Sequence, residues 1–255
     1  TVDKGTSLSW VMTPEEWELI PRWKPEGNTN KLMRKQQELE SGSTKWISIL
    51  DNAILVWSGR TSDKLGKYGR GAPVFKARGF VNMSPHDLTD LLLDSDRVHL
   101  YNKYSLGRSD DAVLQSGVNS KGGKFGVGET KIVRSKTKIP FAGKNIMMVN
   151  VMHARPLDHI ASSSSSSTGM DHAESGYIII SRSVCFGDSK AASENEIVWG
   201  VNVLKSVPDH PGKTELLSIS QVSSTLIPGF LAHKIGMMAV EEFFNAMRQC
   251  SKTGV

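Results

Sequence analysis

The sequence predicts an α+β fold in which one continuous antiparallel sheet packs against a long C-terminal helix. Between residues 46 and 222, short apolar segments with the composition of strands follow one another, roughly seven in all. They lie too close together in the sequence for helical crossovers between them, which favours antiparallel pairing of neighbours. An uninterrupted helical pattern over residues 228–249 follows as the last element.

The first 45 residues are polar, and we expect an N-terminal helical extension or linker there, with the main domain over residues 46–255. Within this extension, Thr13 is a good helix cap because Pro14 follows at the first helical position. A second, mostly exposed helix is predicted over residues 31–40. The chain begins without Met, so we expect a piece of a longer protein or a processed start.

The main domain opens with strand residues at 46–58, broken by a turn at 51–52, and a second strand at 74–81. A short helix over residues 84–93 has Ser84 as its cap and Pro85 at its first position. Further strands are predicted at about 130–139, 146–154, 177–184, 197–204 and 214–222. The glycine-rich residues 122–128 indicate a hairpin loop, and the serine run 162–167 lies in a predicted mobile surface loop, 161–176.

The last helix carries a broad apolar stripe, which leaves two interpretations open. At about 100° per residue, the stripe contains Leu231, Ile235, Met238, Ala239, Phe243 and Ala246. It could be an ordinary core helix. It could also be a lid over a cavity, with methionines adapting to a flexible apolar guest.

Composition and motifs argue against several functional classes. Apolar residues make up 38% of the chain, enough for a core, and the two cysteines exclude a disulfide framework and a cysteine-built zinc site. None of the seven histidines falls in a metal-binding pattern, and there is neither a P-loop nor a nucleophile elbow. The sequence therefore predicts no cofactor, no metal, no catalytic residue and no enzyme, in a cytoplasmic protein.

The net charge of +5 is concentrated in one segment. Residues 121–144 hold seven basic residues and one acidic residue. By strand alternation, Arg134, Lys136 and Lys138 share one face. This face is either simply solvated or in contact with an anionic membrane surface. Nucleic acid is a poorer fit, since no aromatic residues are interleaved for stacking on bases.

Four blocks of the chain, taken in order, resemble one known family. They are residues 91–102, residues 131–133 with 139–145, residues 176–184, and residues 213–217 with 226–228. Together they resemble the START domain, the lipid-transfer domain related to the steroidogenic acute regulatory protein, over about residues 46–250. The resemblance implies a helix-grip fold: a curved antiparallel sheet wraps the C-terminal helix and leaves an internal tunnel for one lipid.

The resemblance also implies the function. We expect non-catalytic binding and transfer between membranes of a single phospholipid, sphingolipid or sterol, by a cytoplasmic protein peripheral to membranes. Three alternatives stay open: a lipid sensor within a larger protein, an enzyme on the same architecture, and a core-filled module without a cavity.

The candidate site residues combine the resemblance with strand and helix faces. Many family members place a buried Arg five residues after an Arg-Asp pair; here the pair is Lys144-Asn145 and the position is Asn150, a candidate polar anchor. An amide supplies no charge, which argues against a charged head group. The other expected cavity residues are Met148, Met152, Ser135, Ser181, Ile235, Met238, Ala239 and Phe243. The expected membrane contacts are Arg134, Lys136, Lys138, Leu226, Ile227 and Phe230. Ser218 and Ser220 could line the tunnel or face water, because alternation alone does not fix which face is inward.

Overall fold

A computed structural model of the chain describes residues 23–39, 51–60, 72–117, 128–140, 143–157, 176–184 and 197–253. The elements in these ranges are β1 (Lys24–Glu26), α1 (Thr29–Leu39), β2 (Leu55–Arg60), β3 (Pro73–Val81), α2 (Pro85–Leu93), α3 (Val98–Tyr101), β4 (Ser105–Ser116), β5 (Glu129–Lys138), β6 (Asn145–Pro156), β7 (Gly176–Ser183), β8 (Ile197–Val207), β9 (His210–Ser223) and α4 (Gly229–Thr253).

The described strands form one antiparallel sheet in the order β1-β2-β3-β9-β8-β7-β6-β5-β4. Strands β4 to β9 follow one another as sequence neighbours, and β3 pairs with β9 from Val74↔Gln221 to Val81↔Thr214. This non-local pairing joins the two ends of the domain. The predicted α+β class and helix-grip arrangement are confirmed.

Most predicted elements within the described ranges are present. Helix α1 corresponds to the expected helix at 31–40, and α2 begins as predicted, with the Ser84 hydroxyl accepting a hydrogen bond from the Asp87 amide at 3.1 Å. β1, inside the predicted extension, pairs with β2 and so joins the sheet. The predicted helix at Thr13, the loop at 122–128 and the serine run 162–167 lie outside the described residues.

The sequence did not predict the edge strand β4. Most of its residues are polar, its apolar residues Leu106, Val113 and Leu114 are exposed, and three register shifts interrupt its pairing with β5. Alternation becomes visible only when one face of a strand is buried. Because β4 buries little, its sequence carries no such pattern.

Ionic contacts hold β4 to its neighbours instead. Lys131 on β5, only 4% exposed, donates from Nζ to the Leu93 carbonyl at 2.6 Å and pairs with Asp110 Oδ2 on β4 at 2.9 Å. The Ser95 hydroxyl also donates to Asp110. Burial alone would raise the pKa of Asp110, but these two hydrogen bonds and the positive charges of Lys131 and Arg108 together outweigh it and hold that pKa below its ordinary value. The network fastens β4 and β5 to the end of α2.

Helix α4 crosses the inner face of the sheet, and two glycines set how closely it approaches β3. At Gly79 on β3, a Cβ atom would lie 3.0 Å from Cε1 of Phe244. At Gly236 on α4, a Cβ atom would lie 2.5 Å from Cζ of Phe75. Glycine therefore permits ring-to-backbone contact at both crossing points.

The two halves of α4 differ in how they are held. The C-terminal half is buried through Val240, Phe244, Met247 and Cys250. Arg248 adds hydrogen bonds to the carbonyl oxygens of Phe80 at 3.0 Å and Ala53 at 2.9 Å. The first eleven residues of the helix contribute no buried side chain. The helix is thus anchored at its C-terminal half, and space remains beneath its N-terminal half.

The outer face of the sheet is also apolar and buried over β3, β7, β8 and β9. Val74, Ile178, Ile180, Trp199, Val201 and Ile219 form a second buried cluster. Trp23, from the segment preceding β1, packs against it. None of the helices in the described ranges is long and apolar enough to span a membrane.

Candidate functional site

A cavity of about 410 Å³ lies between the N-terminal half of α4 and the inner face of the sheet. This volume falls within the ~300–1,000 Å³ typical of small-molecule sites. Most of its walls are apolar, with Phe75, Ile139, Ile146 and Val222 from the strands and their loops. Ile227, Ile235, Val240 and Phe243 close it from the helix side.

Small residues on both walls explain why the cavity forms. On α4, the residues facing the sheet are Ala232, Gly236 and Ala239, at helical spacings of four and three. The opposing strands present Ala77, Gly200, Ser218 and Ser220. Further along the same helix, the fully buried Phe244 and Met247 fill the equivalent space. The alternative of a core-filled module without a cavity is therefore wrong.

The structure divides the residues expected at the cavity into two groups. Met148, Ile235, Ala239 and Phe243 line it. Ser135, Asn150, Met152, Ser181 and Met238 are not among its lining residues.

The residues outside the lining have identifiable surroundings. Met152 packs in the main apolar core. Ser135 and Ser181 pair with Met148 and Met152, so they share the inner face but lie beside the cavity. Met238 is half-buried on α4 and is a neighbour of the lining residues Ile235 and Glu242 along the helix face, but it does not itself reach the cavity.

Asn150 is 6% exposed and has a protein partner. The Ser183 hydroxyl donates to its Oδ1 at 3.0 Å. Its Nδ2 has no hydrogen-bond partner among the described residues. A role as head-group anchor stays a prediction.

The β8–β9 pair contributes three polar side chains to the cavity lining. Asn202 on β8 lies opposite Ser218 on β9, and Ser220 lies opposite Gly200. Within the part of the chain that the structure describes, none of the three side chains makes a hydrogen bond. Sequence reasoning left Ser218 and Ser220 open and missed Asn202, although its position between Val201 and Val203 marks a polar residue within an apolar strand.

The titratable lining residues already have partners or lie at the surface. The buried Tyr101 hydroxyl donates to the Leu92 carbonyl at 3.0 Å and accepts from Arg108 at 3.0 Å, and burial raises the pKa of Tyr101. Glu242 accepts a hydrogen bond from Lys103, which raises the pKa of that lysine. Lys138 lines the cavity and is exposed.

No metal-binding cluster occurs in the described ranges: no three His, Cys, Asp or Glu side chains come together there.

The expected membrane contacts lie on β5 and at the start of α4. Arg134 pairs with Asp111 at 2.7 Å, and Lys136 is exposed on the same strand face. Ile227 lines the cavity, and three residues later Phe230 is 84% exposed. Leu226, immediately before Ile227, is half-buried.

Comparison with solved structures finds the same architecture in lipid-transfer proteins. The human StarD13 (DLC2) lipid transfer and protein localization domain matches with a TM-score of 0.56 and 12% identity, covering 96% of this chain and 96% of that chain. Human StAR-related lipid transfer protein 5 matches with a TM-score of 0.52 and 10% identity, covering 88% and 98% respectively. Human STARD10 matches with a TM-score of 0.51 and 15% identity, covering 76% and 69%. No protein-family model matches the sequence, and neither does any curated protein.

Proposed function

The chain has a START-like helix-grip fold, and we propose that it binds one hydrophobic lipid beneath α4 and carries it between membranes without changing it chemically. The observation that supports this proposal most directly is the apolar cavity of about 410 Å³ between two walls of small residues. A sensor would use the same cavity, so the assay must measure binding and transfer separately.

The apolar and the polar residues of the cavity lining contribute differently to ligand binding. Burying about 300 Å² of apolar ligand surface contributes about 7 kcal/mol. A single neutral hydrogen bond contributes only about 1 kcal/mol. The apolar body of the lipid therefore supplies most of the affinity, and the polar lining selects among head groups.

The N-terminal half of α4 is the proposed gate. Its contacts with the rest of the domain include the His233 ring, which lies 5.5 Å from the Phe75 ring, and His233 Nε2, 3.2 Å from Glu26 Oε1. Both contacts involve a half-exposed histidine, whereas the C-terminal half is buried in the core. Segments with few buried contacts open at lower free-energy cost. Opening there would uncover the cavity while the rest of the helix stays packed.

A cavity-filling substitution tests the site. Ala239→Phe places an aromatic ring in the cavity, and Asn245→Phe adds the same ring on an exposed position of the same helix. Both variants and the wild type are incubated with donor vesicles carrying a labelled lipid panel, and lipid bound to protein and lipid delivered to acceptor vesicles are measured. We expect Ala239→Phe to lose both binding and transfer, and Asn245→Phe to retain both. Equal activity of the two variants would place the ligand elsewhere, and binding without transfer would indicate a sensor.

Membrane contact is a second part of the proposal. Phe230 would insert its exposed ring into the lipid interface, and Lys136 and Lys138 would approach anionic head groups. Each lysine near an anionic surface contributes ~1 kcal/mol, so removing one should weaken vesicle binding about 5-fold.

Sedimentation with vesicles of phosphatidylcholine, with and without phosphatidylserine, tests this contact. Phe230→Ser should reduce binding to both kinds of vesicle, whereas Lys136→Ala and Lys138→Ala should reduce binding only to the anionic ones. Leu114→Ser removes an exposed apolar side chain from the far end of the edge strand β4, which pairs with β5 near Lys131 and Thr130, and is the control. If Leu114→Ser and Phe230→Ser behave alike, the proposed contact is wrong.

A further inference from the structure

Three polar side chains of the cavity lining lie together on the β8–β9 pair and make no hydrogen bond to the described residues; we call them the polar patch: Asn202, Ser218 and Ser220. Asn202 and Ser218 face each other across the β8–β9 pair, and Ser220 follows on the same face of β9. Side chains directly opposite on paired strands have Cβ atoms ~4.5–5.5 Å apart, so one small ligand group can reach both. Together they offer one amide and two hydroxyls.

The three side chains of the polar patch are half-buried, and the strands beside the two serines offer them few hydrogen-bond partners. On the β3 side, Ser218 pairs with Ala77 and Ser220 pairs with Phe75, and neither neighbour can form a side-chain hydrogen bond. Gly200, opposite Ser220, offers no side chain. A polar group held against apolar walls needs a partner from the ligand or from water. A ligand that places a hydrogen-bonding group here satisfies them and fills the remaining apolar space.

The charges around the cavity decide what kind of head group fits. Glu242 is negative and already engaged by Lys103. Lys138, the one cationic side chain among the cavity's described lining residues, is exposed to solvent. An anionic head group at the polar patch would therefore lose its hydration without gaining a positive partner. Hydroxyls and carbonyls carry no such penalty.

We propose that the polar patch binds the neutral hydroxyl or carbonyl end of a lipid whose apolar body lies beneath Ala232, Gly236 and Ala239. This inference rests on the proposed lipid-binding function and narrows its ligand to neutral lipids with a small head group. Phospholipids are the excluded class, because the phosphate would lie against an uncharged wall.

Two probe sets that differ only in the head group test the inference. The first is cholesterol, 5-cholestene without the hydroxyl, and cholesteryl sulfate; the second is 1-hexadecanol, hexadecane and hexadecanoate at pH 8. Binding of each labelled probe to the wild-type chain is measured at equilibrium. In the probe set whose apolar body fits the cavity, the alcohol should bind about 2- to 12-fold more tightly than the hydrocarbon for each hydrogen bond formed. The anionic probe should bind more weakly than the alcohol.

Variants of the polar patch then test which residues cause the preference for the alcohol over the hydrocarbon. Asn202→Leu keeps the approximate side-chain size and removes the amide, and Asn145→Leu makes the same change at an exposed position on β6. Ser218→Ala and Ser220→Ala remove one hydroxyl each and test the patch should Asn202→Leu fold poorly. We expect the patch variants to lose the preference for the alcohol while keeping their affinity for the hydrocarbon.

The outcomes separate the two proposals. Equal binding of alcohol and hydrocarbon, tightest binding of the anionic probe, or an unchanged preference in all three patch variants would overturn the inference and leave the lipid-binding cavity standing. If no member of either set binds the wild type, and phosphatidylcholine is not bound either, the proposed function fails and the inference with it.

Discussion

Replacing Gly236 by alanine should lower the affinity for lipid, while the free energy of unfolding should fall by at most about 2 kcal/mol. Glycine to alanine in a helix interior normally stabilises a protein by about 1 kcal/mol. At this position the new Cβ would lie 2.5 Å from Phe75 Cζ and closer still to Cε2. Carbon atoms pack at ~3.5–4.0 Å, so the ring or the helix must move by about 1 Å or more.

The expected change in the free energy of unfolding is the sum of two opposing contributions. Forcing extra atoms into a packed contact costs about 1–3 kcal/mol, against the gain of about 1 kcal/mol in helix propensity. The net loss should be about 0–2 kcal/mol, or a fall in Tm of up to about 8 °C for a chain of this size. Phe75 is 5% exposed, and the open space beside it is the cavity that it lines. Displacing the Phe75 ring should therefore reduce the cavity volume that is available to the ligand.

The assay combines urea unfolding with equilibrium lipid binding. Gly229→Ala is the control, because a Cβ at that position meets no atom within 4 Å. In a Phe75→Ala background the clash is gone, so Gly236→Ala should become stabilising by about 1 kcal/mol. If Gly236→Ala stabilises the wild-type background and leaves lipid binding unchanged, the close crossing of α4 over β3 is wrong.

Three further predictions concern the sheet. Gly176→Ala should lower the free energy of unfolding, measured by thermal unfolding, by about 3 kcal/mol or more. The φ of Gly176 is +152°, which disfavours a side chain, and the new Cβ would collide with a β8 carbonyl. Gly212→Ala is the control and should be near neutral, because a Cβ there meets no atom within 4 Å. Lys131→Met should lower the free energy of unfolding in urea at pH 7 by about 1–3 kcal/mol, because it leaves the Leu93 carbonyl without its buried hydrogen-bond donor and removes the ion pair with Asp110; a change near zero would mean that the network adds nothing. Burial raises the pKa of Asp110, but hydrogen bonds from Ser95 and Lys131 and the charges of Lys131 and Arg108 together lower it. Its stabilising contribution is therefore present above the ordinary pKa near 4 and lost as the pH falls through the lower folded value. Unfolding measured from pH 6 to pH 2 should show a smaller acid loss in Lys131→Met than in the wild type, and equal losses would contradict the assignment.

Most of the elements that the sequence predicted are those that bury one face. Helix α4 and strands β5 to β9 carry apolar residues at helical or alternating spacing because the core requires them there. Strand β4 lacks this pattern because it buries little; backbone pairing with β5 and ion pairs such as Asp110–Lys131 hold it in place. Periodicity does not report such tertiary contacts.

The candidate site was predictable only in part. Ala239 and Ile235 followed from the helix stripe, and both line the cavity. Asn150 came from a family spacing; in the structure it accepts a hydrogen bond from Ser183 instead of lining the cavity. Asn202 faces the cavity because of the β8–β9 register, which the sequence alone does not fix.

Native mass spectrometry after incubation with lipid vesicles tests the central claim most directly. The account predicts a population of the 28.0 kDa chain carrying the mass of one lipid, present in the wild type and in Asn245→Phe and absent in Ala239→Phe. A bare chain in all three proteins, or a lipid retained equally by Ala239→Phe, would contradict the claim that the cavity beneath α4 holds the ligand.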